Sequence, residues 1–574
     1  MDCKKRYEEW LSYECFDEQT KKELMDIKND PKEIEDRFYT DLEFGTAGLR
    51  GKIGAGTNRM NIYIIARATQ GLAEYIKDQG KEYMDRGVVI AYDIRHFSRE
   101  FSKKAALVLA ANGIKAYLFE DIRPTPELSF AVRRLNTTAG IVVTASHNPK
   151  EYNGYKVYWE DGAQVLSQTA DGITEKISNI TDFSVIRAME EEEAIRQGLL
   201  VMVGSQLDNE YTEKVKKLAL RENIDKDMKI VYTPLNGTGN LPVRRVLKER
   251  GFTNVMVVPE QEKPDPDFKT VGYPNPEDVK AFAYAIRFGK EVGAELLFAT
   301  DPDCDRVACM VRDESGEYMA LNGNQTGALL INYMLESMKE KNNLTDNGYI
   351  VKSIVTGDLG KVIAASYGVN TYETLTGFKN ICGKVNELEE AGSHQFIFGY
   401  EESIGYAAGT FVRDKDGVIS SMLLCEAAAY YKTEGKSLLN VLEETYRIYG
   451  YYQEKLISLV LEGLEGQKRI GRMMEVYRQQ YPTKINDTRL ISYTDYQKQI
   501  SYDLIHSKEY PEEIPVSNVL RFMLEDGSWY AVRPSGTEPK IKIYIYSKGD
   551  TLDIAQEKIK TMEEIILNAL NQVE

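Results

Sequence analysis

Residues 140–149 read GIVVTASHNP, and the rest of the chain is best understood outward from this stretch. The apolar run 140–143 predicts a buried strand, and Pro149 ends the polar loop that follows it. Ser146 lies in that loop, where its hydroxyl can reach a ligand. His147 and Lys156 offer proton transfer or charge stabilisation beside it. Taken alone, Ser146 is also consistent with an ordinary turn serine.

Strands and helices alternate around this loop in a unit that occurs three times. Each copy reads strand, helix, strand, helix, strand and then a polar loop. The predicted strands are 88–92, 115–119 and 140–144 in the first copy, 229–233, 254–258 and 295–300 in the second, and 349–355, 370–375 and 396–399 in the third. The predicted helices are 98–111 and a short one opened by Pro126, then 240–250 and 276–292, then 358–367 and 380–391.

This alternation predicts βαβ units and mostly parallel sheets, in which ligands bind beyond the carboxyl ends of the strands. The polar loops around Ser146, at 301–306 and at 400–405 each follow the last strand of a copy. The period is irregular, so the repeat is not a solenoid. Alternating elements are common in large α/β proteins, but they do not explain three chemically different loops at equivalent places.

The end of the chain has a different pattern. Strands predicted at 518–524 and 529–532 flank the turn Glu525-Asp526-Gly527-Ser528, and residues 540–546 alternate as a half-buried strand does. An amphipathic helix is predicted at 551–571. These features predict a small α+β domain with an antiparallel sheet.

The composition describes an acidic, globular chain of 574 residues with a formal net charge of −17. At ~100–200 residues per domain, this length predicts roughly three to five domains. The acidic balance disfavours nucleic acid and anionic membranes as partners. Six cysteines without a CxxC pair predict a reducing, cytoplasmic setting, and four histidines disfavour a multi-histidine zinc site. Neither a secretory segment nor a run of ~18 apolar residues is predicted.

Three aspartates alternate in the loop 301–306, which reads DPDCDR. Carboxylates at this spacing suit a hard cation such as Mg²⁺, and Arg306 can serve an anion beside it. An EF-hand is excluded because the chain returns to an apolar strand after Arg306. An acidic solvated turn is the plain alternative, and a haloacid-dehalogenase-like phosphatase would place its paired aspartates after the first strand of its domain.

Two segments have the composition of phosphate-binding loops. Residues 533–540, RPSGTEPK, combine a guanidinium, an ammonium, hydroxyls and a glycine, whereas an ordinary hairpin loop rarely needs all of them. Residues 45–51, GTAGLRG, are glycine-rich and contain Arg50. They are not a P-loop, because no Gly-Lys-Ser/Thr ends them.

The loop 399–405 supplies Glu401 and Ser403. A carboxylate and a hydroxyl together suit sugar hydroxyls, which both donate and accept hydrogen bonds. Residues 376–379, TGFK, end another predicted strand and offer further substrate contacts. Arg413 and Lys415 add basic side chains near the third unit.

Four motifs therefore occur in one order: TASHNP, DPDCDR, GYEESIG and RPSGTEPK. In this order the chain resembles the α-D-phosphohexomutases, the family of phosphoglucomutase and phosphomannomutase, over about residues 40–545. The resemblance implies an α/β protein of three related α/β domains, with mixed, mostly parallel sheets, plus a C-terminal α+β domain around a central cleft. The implied domains are 1–205 with a phosphoserine loop, 206–322 with a metal-binding loop, 323–455 with a sugar-binding loop and 456–574 with a phosphate-binding loop.

The resemblance also implies a role for each loop. Ser146 would carry phosphate, and Asp301, Asp303 and Asp305 would hold Mg²⁺ together with an oxygen of that phosphate. His147, Lys156 and Arg50 would act in catalysis as acid–base or charge-stabilising groups. The residues implied to contact the sugar phosphate are Arg50, Arg306, Thr376, Gly377, Lys379, Glu401, Ser403, Lys415, Arg533, Ser535, Gly536, Thr537 and Lys540.

The implied reaction interconverts α-D-glucose 1-phosphate and glucose 6-phosphate through a phosphoserine, with glucose 1,6-bisphosphate as intermediate and activator. The motifs are most similar to the branch that contains phosphoglucomutase and phosphopentomutase, and Glu402 stands where phosphomannomutases commonly have methionine. Phosphopentomutase, phosphomannomutase and bisphosphate synthase activities remain alternatives, as do a metal-dependent phosphatase and a non-catalytic sugar-phosphate sensor. The expected partners are small-molecule sugar phosphates, with no nucleic acid and no membrane. The expected assembly is a monomer or weak homodimer.

Overall fold

The structure is a computed structural model that describes residues 3–45, 48–392, 394–461, 463–535 and 540–573. These residues form four β-sheets with helices packed against them. The first sheet and its helices comprise α1 (Cys3–Ser12), α2 (Glu18–Asp26), α3 (Pro31–Phe38), β1 (Gly48–Lys52), α4 (Ile62–Gln79), α5 (Lys81–Arg86), β2 (Val88–Tyr92), α6 (Ser98–Ala111), β3 (Ala116–Phe119), α7 (Thr125–Leu135), β4 (Ala139–Val143), β5 (Tyr152–Trp159), α8 (Ser167–Asn179), α9 (Glu191–Arg196) and β6 (Leu200–Val203).

The second and third sheets, each with its own helices, follow in chain order. The second comprises α10 (Ser205–Lys216), β7 (Ile230–Thr233), α11 (Asn240–Glu249), β8 (Val255–Val257), α12 (Pro259–Glu262), α13 (Ala283–Val292), β9 (Leu296–Thr300), β10 (Val307–Arg312) and β11 (Tyr318–Leu321). The third comprises α14 (Gly323–Glu340), β12 (Gly348–Ser353), α15 (Leu359–Ser366), β13 (Asn370–Thr374), α16 (Phe378–Glu390), β14 (Gln395–Glu401), β15 (Gly405–Ala407), α17 (Gly417–Thr433) and α18 (Leu438–Tyr449).

The fourth sheet is antiparallel throughout its described strands. It comprises β16 (Tyr451–Val460), α19 (Gly463–Gln479), β17 (Lys484–Ile485), β18 (Thr488–Asp495), β19 (Ile500–Asp503), β20 (Lys508–Pro511), β21 (Leu520–Leu524), β22 (Trp529–Pro534), β23 (Lys540–Gly549) and α20 (Leu552–Asn571).

The first three sheets repeat one strand order. Three parallel strands lie as β4-β2-β3, β9-β7-β8 and β14-β12-β13, so the first strand of each unit is central. An antiparallel strand, β5, β10 or β15, then pairs with the third parallel strand. The turns into these antiparallel strands are 144–151, 301–306 and 402–404. The three chemically distinct loops are therefore topologically equivalent.

The burial of the strands explains why they read as continuous apolar runs. Every residue of β2, β4 and β9 is buried, because helices cover both faces of each sheet. Helix α17 is buried along nearly its whole length and packs against elements of the second and third sheets. One hydrophobic core joins these two sheets with each other and with one face of the first sheet.

The prediction of three mixed α/β domains and a C-terminal α+β domain is confirmed. The predicted helix over 276–292 is too long, since α13 begins only at Ala283 after a 3₁₀ turn at Val279–Phe282. Asn275 and Asp278 accept hydrogen bonds from Glu277 N and Lys280 N, and these turns compete with a helix. Within the described part of the chain, no helix has the length and apolar character needed to cross a membrane.

Candidate active site

Ser146 and Asp301 bring the first two polar loops into direct contact. The Ser146 hydroxyl donates a hydrogen bond to Asp301 Oδ2 at 2.7 Å. Ser146 is only 3% exposed, although a loop serine is expected to face solvent. The 301–306 loop of the second sheet covers it, so the hydroxyl points at carboxylates rather than at bulk water.

Each of the three loops contains one left-handed residue that is not glycine. These residues are Ser146 with φ of 51°, Cys304 with φ of 53° and Ile404 with φ of 55°. The conformation costs about 1–2 kcal/mol for an L-residue, so neighbouring contacts must hold it in place. The shared geometry is a second sign that the three loops are equivalent.

The three aspartates of the 301–306 loop form a buried carboxylate cluster, with one oxygen of each within 4.8 Å of the others. Asp303 Oδ2 accepts from Lys156 Nζ and Thr125 Oγ1, each at 2.9 Å, and Asp305 Oδ2 lies 3.1 Å from Lys415 Nζ. Within the described residues, the second oxygens, Asp303 Oδ1 and Asp305 Oδ1, accept no hydrogen bond. Buried carboxylate oxygens without donors are costly, and hard cations take such ligands. The oxygens present therefore fit a divalent cation.

Burial and neighbouring charges shift the pKa of Asp301 and the pKa of Asp303 in opposite directions. Burial, together with the charges of Asp303 and Asp305, raises the pKa of Asp301 well above its usual range. Burial acts in the same direction on Asp303, but the Lys156 ammonium and the hydrogen bonds that Asp303 accepts together outweigh it and hold the pKa of Asp303 below its usual range. A bound divalent cation would favour the ionised form of Asp301 in the same way.

His147 and Lys156 differ in the proton chemistry they can offer. His147 Nδ1 lies 3.3 Å from Ser146 Oγ. Burial, followed by the charges of Arg306 and Arg50, lowers the pKa of His147 well below its usual range, so the ring is neutral at pH 7. Burial would lower the pKa of Lys156, but Asp303 and Asp305 outweigh it and keep the ammonium charged. Of these two groups, only the imidazole can therefore accept a proton at neutral pH.

Lys415 links the carboxylate cluster to a further buried acid, Asp414. Its ammonium lies between Asp305 Oδ2 at 3.1 Å and Asp414 Oδ1 at 3.5 Å. Asp414 Oδ2 in turn accepts from the Tyr158 hydroxyl at 2.6 Å and from Gln164 at 2.9 Å. Lys415 is held by anions on both sides, which keeps it charged. Arg413 has a structural role instead, because it hydrogen-bonds Asn386 and pairs with Glu389.

Arg306 and Arg50 each contact one of the other polar loops. Arg306 Nη1 donates to the carbonyl of Ser403 at 3.0 Å, and a backbone bridge joins Arg306 to Gly405. Arg50, on β1, donates to Asn148 Oδ1 at 3.1 Å. The second and third loops are thus joined directly, and Arg50 contacts the Ser146 loop from the edge strand of the first sheet.

The sugar-binding candidates lie together on the third sheet. Glu401 Oε1 accepts from the amide of Gly377 at 2.7 Å, which joins the 402–404 loop to the segment containing Thr376 and Lys379. Burial lowers the pKa of Lys379. The neighbouring Glu402 turns away and accepts from Thr356 Oγ1 at 3.0 Å. Burial and the charge of Glu401 raise the pKa of Glu402 to about 7.

The phosphate-binding candidates lie where β22 is followed by β23. Arg533 and Ser535 are at the end of β22 and Lys540 begins β23, with Ser535 N donating to the carbonyl of Lys540 at 2.8 Å. Gly536 and Thr537 lie outside the described residues. Lys542 stands directly opposite Arg533 in the strand register. Burial, Lys540 and Arg533 all lower the pKa of Lys542, so three cations converge here.

Sequence reasoning missed two residues of this constellation. Thr125, at the start of α7, donates to Asp303 through both its amide and its hydroxyl, each at 2.9 Å. Nothing in the sequence around Thr125 indicates this contact across 178 residues. The sequence pattern does indicate Lys542, because side chains alternate along a strand and Lys540 and Lys542 therefore lie on one face.

Comparison with known protein families matches four models to the chain in order. They are the phosphoglucomutase/phosphomannomutase alpha/beta/alpha domain I at 41–183, domain II at 209–316, domain III at 322–449 and the C-terminal domain at 493–558. The chain belongs to the phosphoglucomutase/phosphomannomutase family. The resemblance inferred from the four motifs is confirmed.

Curated members of this family are similar over nearly the whole chain. A phosphoglucomutase of Staphylococcus haemolyticus is 39% identical over 525 residues, covering 92% of this chain and 94% of its own. A phosphoglucomutase of Staphylococcus aureus is 38% identical over 533 residues with the same coverage.

Solved structures of the family share the fold. A crystal structure of parafusin, a phosphoglucomutase from Paramecium in an open form, superposes with a TM-score of 0.68 at 18% identity, covering 93% of this chain and 95% of its own. A family member from Burkholderia thailandensis gives 0.67 at 17% identity, covering 93% of this chain and 99% of its own.

Proposed function

We propose that this family member interconverts α-D-glucose 1-phosphate and glucose 6-phosphate through phospho-Ser146 and glucose 1,6-bisphosphate. The observation that carries the proposal is the contact between Ser146 Oγ and Asp301, which sets a buried hydroxyl against a carboxylate cluster fit for a cation. Phosphoryl transfer depends mainly on positioning and charge neutralisation, and both are available at this contact. The name phosphoglucomutase, carried by relatives at 38–39% identity, supports the same reaction.

The first half-reaction moves phosphate from Ser146 to the sugar. A bond forms between phosphorus and O6 of glucose 1-phosphate, the bond to Ser146 Oγ breaks, and the proton of the sugar hydroxyl is balanced by one gained at Ser146 Oγ. Neutral His147 lies 3.3 Å from Ser146 Oγ and can accept a proton, so we assign it to the second half-reaction, in which the Ser146 hydroxyl loses its proton as it takes the phosphate. In the second half-reaction Ser146 takes the phosphate from C1, and glucose 6-phosphate is released.

We infer that the metal is Mg²⁺, held by Asp301, Asp303, Asp305 and an oxygen at Ser146. All of these ligands are oxygens, which Mg²⁺ prefers. When bound, Mg²⁺ neutralises charge on the transferring phosphate. Lys156, Arg306 and Lys415 add positive charge beside it and are assigned to stabilise the same group.

A second phosphate site is needed for the phosphate that does not react. Arg533, Ser535, Gly536, Thr537 and Lys540 are proposed to bind it, helped by Lys542. Arg50 is assigned to the transferring phosphate. The residues assigned to the sugar are Thr376, Gly377, Lys379, Glu401 and Ser403. Enclosure between the two phosphate sites would protect phospho-Ser146 from water.

Glucose 1,6-bisphosphate is proposed as the activator, because it can restore phosphate to Ser146 after accidental loss. The proposed domains are 1–205, 206–322, 323–455 and 456–574, supported by the order of the family models. Small-molecule sugar phosphates are the proposed partners, and a cytoplasmic monomer or weak homodimer is the proposed state.

A panel of sugar 1-phosphates tests the proposal, with kcat/KM compared in the presence of the matching bisphosphate. Glucose 1-phosphate should be the best substrate. A tenfold or greater preference for ribose 1-phosphate or deoxyribose 1-phosphate, about 1.4 kcal/mol in the transition state, would identify a phosphopentomutase instead. Net release of inorganic phosphate without a bisphosphate requirement would indicate a phosphatase, and binding without turnover a sensor.

A further inference from the structure

A single buried guanidinium binds four backbone carbonyls of the loop that carries Ser146. Arg95 lies between β2 and α6 and is 3% exposed. Its Nη2 donates to the carbonyls of Ser146 at 2.6 Å and of Asn148, and its Nη1 donates to those of Pro149 at 2.7 Å and Tyr152 at 3.1 Å. These four hydrogen bonds therefore hold the backbone of the loop along most of its length.

Asp93 forms an ion pair with this guanidinium and is also linked, through Thr144, to the amide of Ser146. Both side chains are fully buried, and Asp93 Oδ2 lies 3.2 Å from Arg95 Nε. The same carboxylate oxygen accepts from the Thr144 hydroxyl at 2.7 Å. Thr144 Oγ1 in turn accepts from the amide of Ser146 at 2.8 Å. The amide and the carbonyl of Ser146 are thus both tied to the Asp93–Arg95 pair.

Holding both peptide groups of a residue fixes its φ and ψ. This matters at Ser146 because its left-handed conformation is unfavourable for an L-residue with no restraint. If φ of Ser146 became negative, its side chain would leave the backbone in another direction, and the hydroxyl would no longer point at Asp301. Phe268 lies in the segment that follows α12, and its ring centroid is 5.2 Å from Arg95 Cζ. A residue from the domain of the second sheet therefore packs against the guanidinium.

We propose that Arg95, anchored by Asp93, is a positioning residue that holds Ser146 in its left-handed conformation and thereby aims its hydroxyl at the carboxylate cluster. The inference rests on the proposed role of Ser146 as phosphate carrier. Arg95 itself touches the loop backbone and acts through Ser146. Losing it should slow phosphate transfer without weakening the binding of the sugar, which is assigned to the third and fourth sheets.

Two independent sets of variants test the inference. Arg95→Lys keeps the charge, but one ammonium with three donors cannot reach four carbonyls. Thr144→Val removes the hydroxyl bridge while keeping shape, and Thr144→Ser restores the hydroxyl. Arg59→Lys is the matched control, because Arg59 is 5% exposed in the same part of the chain and binds the carbonyls of Asp36 and Asn58, away from Ser146.

Misplacing a reacting group by ~1 Å costs about 100-fold in rate. We expect kcat to fall about 100-fold in Arg95→Lys and about 10-fold in Thr144→Val, with KM for glucose 1-phosphate within about twofold of wild type. Thr144→Ser should recover most of the kcat, and Arg59→Lys should keep it. Unfolding temperatures are measured on all four variants. If Arg95→Lys does not fold, the comparison of kcat between Thr144→Val and Thr144→Ser tests the positioning role by itself.

The proposed function is tested separately on wild-type enzyme. Peptide mapping by mass that finds no phosphate on Ser146 of active enzyme would refute the carrier role itself. If wild type carries the phosphate but Arg95→Lys and Thr144→Val keep normal kcat, the carrier role stands and the positioning role is wrong. A rise in KM at unchanged kcat would also overturn it, since it would assign Arg95 to substrate binding.

Discussion

Ser146 and Asp301 are 155 residues apart in the sequence, and their side chains are joined by a 2.7 Å hydrogen bond. The two residues follow equivalent strands, β4 and β9, of two different sheets. The proposed nucleophile on one domain and the proposed cation site on another meet only when both domains are folded and docked. Chemistry at Ser146 is therefore tied to the interface between the first and second sheets.

Substitution of Ser146 should abolish mutase turnover. Ser146→Ala removes the only oxygen that the proposed phosphoenzyme uses, so kcat should fall on the order of 10⁴-fold or more. Steady-state conversion of glucose 1-phosphate measures the loss, and mass mapping should place phosphate on Ser146 of wild type. Ser184→Ala, an exposed serine of the same region, is the control. Near-normal turnover in Ser146→Ala would mean that another residue carries the phosphate.

Removal of one carboxylate charge should release the metal. Asp303→Asn leaves an amide where Lys156 and Thr125 now bind an anion, so Mg²⁺ affinity and turnover should both fall, turnover by at least about 100-fold. Titration calorimetry with Mg²⁺ measures binding independently of activity, and chelation of wild type should stop turnover reversibly. Glu314→Gln removes an exposed acid from the same region and should change neither. Full activity in excess chelator would rule out a metal requirement.

The phosphate-binding loop at the end of β22, residues 533–540, should bind the non-reacting phosphate in both half-reactions. Arg533→Ala should raise KM for glucose 1-phosphate and for the bisphosphate together by about 10- to 100-fold, the value of one or two charge-assisted hydrogen bonds. Arg533→Lys should be less impaired, because it keeps the charge but loses the planar fork.

Ser146 should still be phosphorylated in either Arg533 variant, because the nucleophile lies on another sheet. Arg489→Ala is the control, since the Arg489 side chain is 74% exposed on the same domain and pairs with Glu525. Wild-type kinetics in Arg533→Ala would remove this loop from the active site.

A buried acid outside the reacting centre should make stability depend on pH. Asp416 is 0% exposed, and burial raises its pKa to about 7 although the amides of Ile419 and Val418 and the Tyr211 hydroxyl all donate to it. The folded state therefore binds this proton more tightly than the unfolded state. Stability from this group is complete below pH ~4 and falls as pH rises through ~7.

Asp416→Asn removes that pH dependence while keeping acceptors for the two amides. Its unfolding temperature should match wild type near pH 4 and exceed it increasingly up to pH ~8, by the equivalent of roughly 2–4 kcal/mol. Thermal unfolding of both proteins from pH 4 to 8 measures the difference. A constant difference across this range would show that Asp416 is ionised in the folded protein throughout.

Much of the architecture was predictable from local sequence. Strands β2, β4 and β9 are covered on both faces, so their apolar runs are continuous and easy to recognise. The helix before β9 was predicted too long because Asn275 and Asp278 form side-chain turns that periodicity does not register. The aspartates and Ser146 were identifiable because their residue types are unusual at the end of an apolar strand.

The sequence by itself determined which residues are candidates for the chemistry, because each polar loop follows its own strand and needs only local order. Tertiary structure alone decided which of them meet. The contacts of Ser146 with Asp301, of Thr125 with Asp303 and of Lys415 with Asp305 join different loops, and no local pattern encodes such distances. It also decided the proton states, since burial and converging charges set the pKa of His147 and Asp301 only after the sheets have packed.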